Sequence, residues 1–101
     1  MKEQPQCEVD KNGTKIWRLN GKYHREDGPA VETKDGYRAW YIHGRIRRED
    51  GPACEYPDGH KVWYLHGKMV HPEQIVDYHL MRGTFCYYDE QTQTLHFAES
   101  E

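Results

Sequence analysis

The sequence predicts a mainly β protein: a single-layer antiparallel β-meander of 23-residue hairpin repeats, capped by a short C-terminal helix and a terminal hairpin. Three observations predict it. Trp17, Trp40 and Trp63 recur at a step of 23 residues, and so do two glycine series, Gly13/Gly36/Gly59 and Gly21/Gly44/Gly67. The tract Arg25-Glu26-Asp27-Gly28-Pro29-Ala30 returns as Arg48-Glu49-Asp50-Gly51-Pro52-Ala53. Between these marks, as over Tyr37 to Ile42, the residues read as strands whose side chains alternate between two faces with a period of two. A fixed period of this length means stacked supersecondary units, each burying its apolar face against its neighbours. At 101 residues the chain is one domain, with repeats over 12–71 and a cap over 72–97.

The middle repeat shows the logic. Ala30 to Thr33 is short and β-compatible, and Asp35-Gly36 is a hairpin turn signal because Gly accepts positive φ. Tyr37 to Ile42 alternates, with Trp40 and Ile42 on one side and Ala39 and Tyr41 on the other. His43-Gly44 turns the chain again, and Arg45 to Arg48 is either a third short strand or a return loop. Pro52 donates no hydrogen bond to a ladder, so it belongs at a strand start or edge. Column by column, Trp17, Trp40 and Trp63 are expected in the core, with Tyr23, Ile46 and Met69 buried in a second column and Val31 and Cys54 in a third. Cys7-Glu8 before Asn12-Gly13 reads as a worn half-copy with one extra turn residue. After Met69 the period stops. Pro72 at a first turn, Glu73 at the positive end and Gly83 as a stop place a helix at about 72–82, with Ile75, Val76, His79 and Leu80 as its apolar stripe. Phe85 to Tyr88 and Gln93 to Phe97 read as two strands, Phe85 and Tyr87 on one face opposite Leu95 and Phe97, and Ala98 to Glu101 as a frayed end.

Composition narrows the function classes. The net charge of −3 is too small for a nucleic-acid mimic and of the wrong sign for a generic phosphate-binding surface. Cys7, Cys54 and Cys86 are odd in number and contain no CxxC pair, which fits free thiols in a reducing compartment. Met1 to Asp10 is polar, with no apolar signal core, and no stretch approaches the roughly 20 apolar residues of a membrane span. The expectation is a cytoplasmic protein without membrane attachment.

The unit Asp35-Gly36-Tyr37-Arg38-Ala39-Trp40-Tyr41-Ile42-His43-Gly44-Arg45 resembles the MORN-type repeat, and Asn20-Gly21-Lys22 and His66-Gly67-Lys68 match its turn best. The resemblance covers about Asn12 to His71 and departs at Gly28-Pro29-Ala30 and Gly51-Pro52-Ala53, where the family has Gly-x-Gly. It implies a twisted single-layer meander that binds rather than catalyses. This wording of the repeat is similar to that of small bacteriophage and bacterial proteins, which implies a viral, stoichiometric inhibitor of a host protein, such as a defence protein.

Several chemistries compete with binding. His43 and His66 sit one repeat apart, on the order of 10 Å in a sheet, too far to share a zinc whose ligands lie at about 2 Å. No metal or other cofactor is expected. Glu26/Asp27 and Glu49/Asp50 are copied with their whole repeat, whereas a catalytic pair occurs once in a concave site. Asp before Gly-Pro fits a turn-fixing acceptor, and Arg25 and Arg48 fit surface partners for these acids. Cys54 replaces Val31 and reads as a buried thiol rather than a nucleophile. The preferred reading is therefore a non-enzymatic protein-binding module, with Tyr41, Tyr64, Arg45, Arg47 and Arg48 at the contact surface. The alternative is nucleic-acid binding through an exposed face that mixes Tyr37, Tyr41 and Tyr64 with Arg38, Arg45, Arg47 and Lys61. An open meander also leaves two edges through which a homodimer could form.

Overall fold

Two kinds of turn organise each repeat, and they dictate the strand layout. The computed structural model describes residues 4–98. Tight turns at Asn20-Gly21, His43-Gly44 and His66-Gly67 hold both residues at positive φ, for example 49° and 81° at His43-Gly44. Such a left-handed pair matches the twist of two antiparallel strands, and Gly adopts it without the Cβ penalty. The other turn is a wider loop, closed by Asp10 N–H on Thr14 O, Thr33 N–H on Tyr37 O and Tyr56 N–H on His60 O at 2.9–3.0 Å.

Strands follow in order: β1 (Gln6–Val9), β2 (Lys15–Leu19), β3 (Lys22–Tyr23), β4 (Val31–Glu32), β5 (Arg38–Ala39), β6 (Tyr41–Ile42), β7 (Arg45–Ile46), β8 (Cys54–Glu55), β9 (Lys61–Leu65) and β10 (Lys68–Val70). The helix α1 (Pro72–Met81) and the hairpin β11 (Cys86–Asp89) and β12 (Thr94–Phe97) complete the chain. The main sheet runs β1-β2-β4-β5-β8-β9-β10, with β3 on β2 and a separate β6-β7 hairpin. All pairings are antiparallel, so the expected mainly β meander with a helix and hairpin cap is what the chain forms. Arg45 to Ile46 is the third short strand rather than a loop.

Trp17 and Trp40 each mark a fork. Trp17 donates its N–H to Ala30 O at 2.7 Å and accepts at its C=O from His24 N–H at 3.0 Å; Trp40 does the same with Ala53 O and Arg47 N–H. The strand thus shares one edge between its own hairpin partner and the first strand of the next repeat. Ala30 and Ala53 are fully buried at these joins, where a larger side chain would push the two repeats apart.

Register produces two rows across the sheet. Glu8, Ile16, Val31, Ala39, Cys54 and Val62 are successive cross-strand partners, an aliphatic row that ends on an acid at the outer edge. Next to it Lys15, Glu32, Arg38, Glu55 and Lys61 alternate in sign, each facing its opposite. Such cross-strand pairs contribute a few tenths to about 1 kcal/mol each and penalise a slipped register, which would lose them and send the aliphatic row to the opposite face. The first copy lacks the Arg-Glu-Asp-Gly-Pro-Ala tract, yet its strand pair forms: Glu8 pairs with Ile16 as Val31 pairs with Ala39, and its loop closes at the equivalent residues without the expected extra residue.

Burial and register correct four expectations. Trp63 is 4% exposed, under the cap and edge-on to Tyr88 at 5.7 Å, but Trp17 and Trp40 are half-buried because no element of the described residues covers that face further out. Met69 is 68% exposed, while Tyr23 and Ile46 in its column are half-buried, because β10 ends the sheet order and has no following repeat. In the cap, Phe97 pairs with Cys86 and Leu95 with Tyr88, so these four share a face, and Phe85 and Tyr87 point outward. The helix starts as expected at Pro72. Its cap, missed in the sequence, is His71: Nδ1 accepts Glu73 N–H, and the Gln74 side chain accepts His71 N–H. Ile75, Val76 and His79 are buried, but Leu80 is exposed. Of the expected frayed end, Ala98 is held by a 2.9 Å bond to Phe85 O, and residues 99–101 lie outside the described residues.

Candidate functional site

The repeated arginine tract is a clasp. Arg25 stacks its guanidinium 4.4 Å from the Trp17 ring centre, and Arg48 lies 3.9 Å from that of Trp40. Nε of each arginine donates to the aspartate two residues on, Asp27 at 2.9 Å and Asp50 at 3.1 Å, and Nη1 donates to Pro29 O and Pro52 O. The guanidinium lies flat against Gly28 or Gly51, where an added Cβ would come within 2.8 and 2.6 Å of it. The sequence Arg-x-Asp-Gly-Pro is therefore one device: an aromatic floor, an acid wall, a carbonyl stop and a residue with no side chain above. The aspartates accept from arginine rather than from a backbone N–H, and Arg25 holds the Asp27 carboxyl below its ordinary value.

Between the clasps lie the seams where one hairpin leans on the previous one. In the first seam Gly44 N–H donates to Tyr23 O at 2.8 Å, Arg25 N–H to Tyr41 O at 3.1 Å and His43 N–H to His24 Nδ1 at 2.9 Å. His24 is 3% exposed, and its ring lies 4.4 Å from that of His43. The first seam is closed.

The second seam is open. The equivalent donors Gly67, Arg48 and His66 make no counterpart bonds to Ile46 O, Tyr64 O or Arg47 among the described residues. At the position of His24 stands Arg47, which carries donors and no acceptor. A cleft of about 430 Å³ remains, lined by Arg45, Arg47, Glu49, Tyr64, His66 and Tyr78 among others. Arg47 turns to Glu49 at 2.6 Å, and Tyr78 Oη donates to the same carboxylate at 3.3 Å. Arg47 holds the Glu49 carboxyl below its ordinary value of 4.5. The helix is fixed to this wall by His79 Nε2, 2.7 Å from Glu49 O.

Four of the five residues that the sequence proposed for contact, Arg45, Arg47, Arg48 and Tyr64, meet in this cleft. Arg48 is there as a wall, held by Trp40, Asp50, Pro52 O and Glu55. Tyr41 lies elsewhere, half-buried and edge-on to Tyr23 at 5.2 Å, its phenol pushed up by burial. Sequence reasoning missed Glu49, Tyr78 and the His66-Gly67 turn as cleft components. The available signal was the change from His24 to Arg47 inside an otherwise faithful repeat.

Other candidates are placed as follows. Cys54 is buried beside Tyr37 Oη at 3.8 Å, and its thiol is pushed up by burial. Arg38 and Lys61 belong to the charged row, where Arg38 bridges Glu32 at 3.1 Å and Glu55 at 3.8 Å. Strand alternation puts that row on the face of the tryptophans, away from Tyr37, Tyr41 and Tyr64. A wider concavity of about 920 Å³ on the Trp40 side contains Glu26, Asp27, Asp50, His79 and Phe97. No group of three His, Cys, Asp or Glu among the described residues converges as a metal site, and no helix among them is long and apolar enough to cross a membrane. No family model, curated protein or solved structure matches the chain.

Proposed function

We propose that this chain is a non-enzymatic protein-binding repeat module and that its partner docks in the open second seam. The observation that supports the reading is that seam itself: the repeat stitches its first two units together and leaves the next join unstitched, with Arg45, Arg47, Tyr64 and Tyr78 around the gap. Arginine and tyrosine dominate binding energy at protein interfaces, because they combine a large contact area with directional donors. A rigid sheet presents them at little entropic cost. The resemblance to MORN-type repeats supports binding over catalysis, and the phage-like wording of the repeat supports a stoichiometric inhibitor of a host protein, acting in the host cytoplasm.

The test is affinity capture from host lysate with the tagged protein and with an Arg45→Glu/Arg47→Glu variant. The expected result is one host protein recovered near equimolar with the former and lost with the latter. Recovery that is the same for both, or absent from both, overturns the assignment.

A further inference from the structure

The two tight turns flanking the seams have nearly the same backbone, φ 49° and 81° at His43-Gly44 against 53° and 81° at His66-Gly67. Each therefore presents two consecutive N–H groups in the same way. In the closed seam both are taken, by His24 Nδ1 and Tyr23 O. In the open seam neither has an acceptor among the described residues, and the side chain at the place of His24 is a third donor, Arg47. Three donors thus line one cleft whose sister site is filled by two acceptors.

We propose that the His66-Gly67 turn and Arg47 form a carboxylate site, which takes an aspartate or glutamate side chain of the partner protein. This rests on the protein-binding reading above and names its chemistry. A carboxylate is acceptor-only, with two oxygens, so it can take a main-chain donor of the turn with one oxygen and the guanidinium fork with the other. Arg47 engages Glu49 through Nη2 and retains further N–H groups for this role. Arg45, with no ion pair among the described residues, adds positive potential at the rim. A single carboxylate fits better than a polyphosphate, because Glu49 stands on the wall and the chain carries net charge −3.

The test is an amide-resolved NMR titration of the full-length ¹⁵N-labelled protein with three probes. These are a capped pentapeptide bearing two glutamates, its glutamine twin, and octathymidylate. The expected result is a saturable shift of the His66 and Gly67 amides with the glutamate peptide, with His43 and Gly44 unmoved. The glutamine twin and the Arg47→Gln variant are each expected to bind at least about tenfold more weakly. Arg47→His, which restores the acceptor of the closed seam, is expected to abolish the response while keeping a folded spectrum. Unmoved His66 and Gly67 amides, an equal response to the glutamine twin, or an unchanged response in Arg47→Gln overturns the proposal. So does tighter binding of octathymidylate at the same amides. A captured partner whose binding survives Arg47→Gln overturns the carboxylate site and leaves the module reading standing. A peptide response with no partner captured does the reverse.

Discussion

The two seams come from the same 23-residue wording and end in different states. In the first, a buried imidazole accepts from the next hairpin and the main chains zip together. In the second, a guanidinium takes that place and turns to Glu49, which also accepts from Tyr78 Oη, and the main chains stay apart. Repeat scaffolds gain stability from identical joins. They gain a site where one join is spoiled, because unpaired main-chain groups and displaced side chains then face a gap of molecular size. The arginine clasp forms in both repeats, with the same bonds to the aspartate and the proline carbonyl, so the sheet survives the loss.

The largest expected effect comes from breaking the closed seam. His24→Arg removes the acceptor for His43 N–H and puts a charge where only 3% of the residue is exposed, so it should cost about 3 kcal/mol. Chemical denaturation measures this, and a loss under 1 kcal/mol would mean that the imidazole is not what holds the hairpins together.

The clasps come next. Arg48→Ala removes the cation–π contact with Trp40 and the bonds to Asp50, Pro52 O and Glu55, for about 2 kcal/mol. Arg25→Ala should cost about 1 kcal/mol, since Arg25 lacks an equivalent of the Glu55 bond among the described residues. The order of the two thermal midpoints checks the ranking, and it fails if Arg25→Ala is the more damaging change.

Closing the open seam is a gentler change. Arg47→His should stabilise the protein by up to about 1 kcal/mol and slow hydrogen exchange at the Gly67 amide towards that of Gly44. Unchanged exchange at Gly67 would show that the cap, and not residue 47, keeps this seam apart.

Acid gives the smallest effect. The Glu49 carboxyl is lowered in the folded state, so its contribution is present above the ordinary value of 4.5 and is lost as pH falls through the lower folded value. Its side chain is 43% exposed, so after solvent screening the loss is a few tenths of a kcal/mol. Glu49→Gln should flatten stability against pH in that window alone, and a wild-type profile already flat there would remove the Arg47–Glu49 pair as a strut of the cleft.

Much of this was legible because local chemistry spoke before packing. Asn20-Gly21 and its copies announced tight turns, because few residue pairs accept two consecutive left-handed conformations. Pro72 announced the helix start. Met69 and the outward Phe85 were not legible, because exposure at the end of a sheet depends on which strand is last and where the cap folds back. Arg45, Arg47, Arg48 and Tyr64 were visible as a basic and aromatic cluster, but Glu49, Tyr78 and the His66-Gly67 turn reach the cleft from the clasp tract, the helix and the next hairpin. Local patterning carries no information about such convergence.

The sequence by itself determined the repeat, the two turn types, the strand alternation and the capping helix, since each follows from φ preferences and side-chain period within a few residues. Only the tertiary structure decided that Arg25 and Arg48 lie on tryptophan faces, that the first seam zips and that the second stays open. The seam outcomes depend on whether an acceptor on one repeat meets a donor on the next, as His24 meets His43, 19 residues on, and that meeting is set by packing.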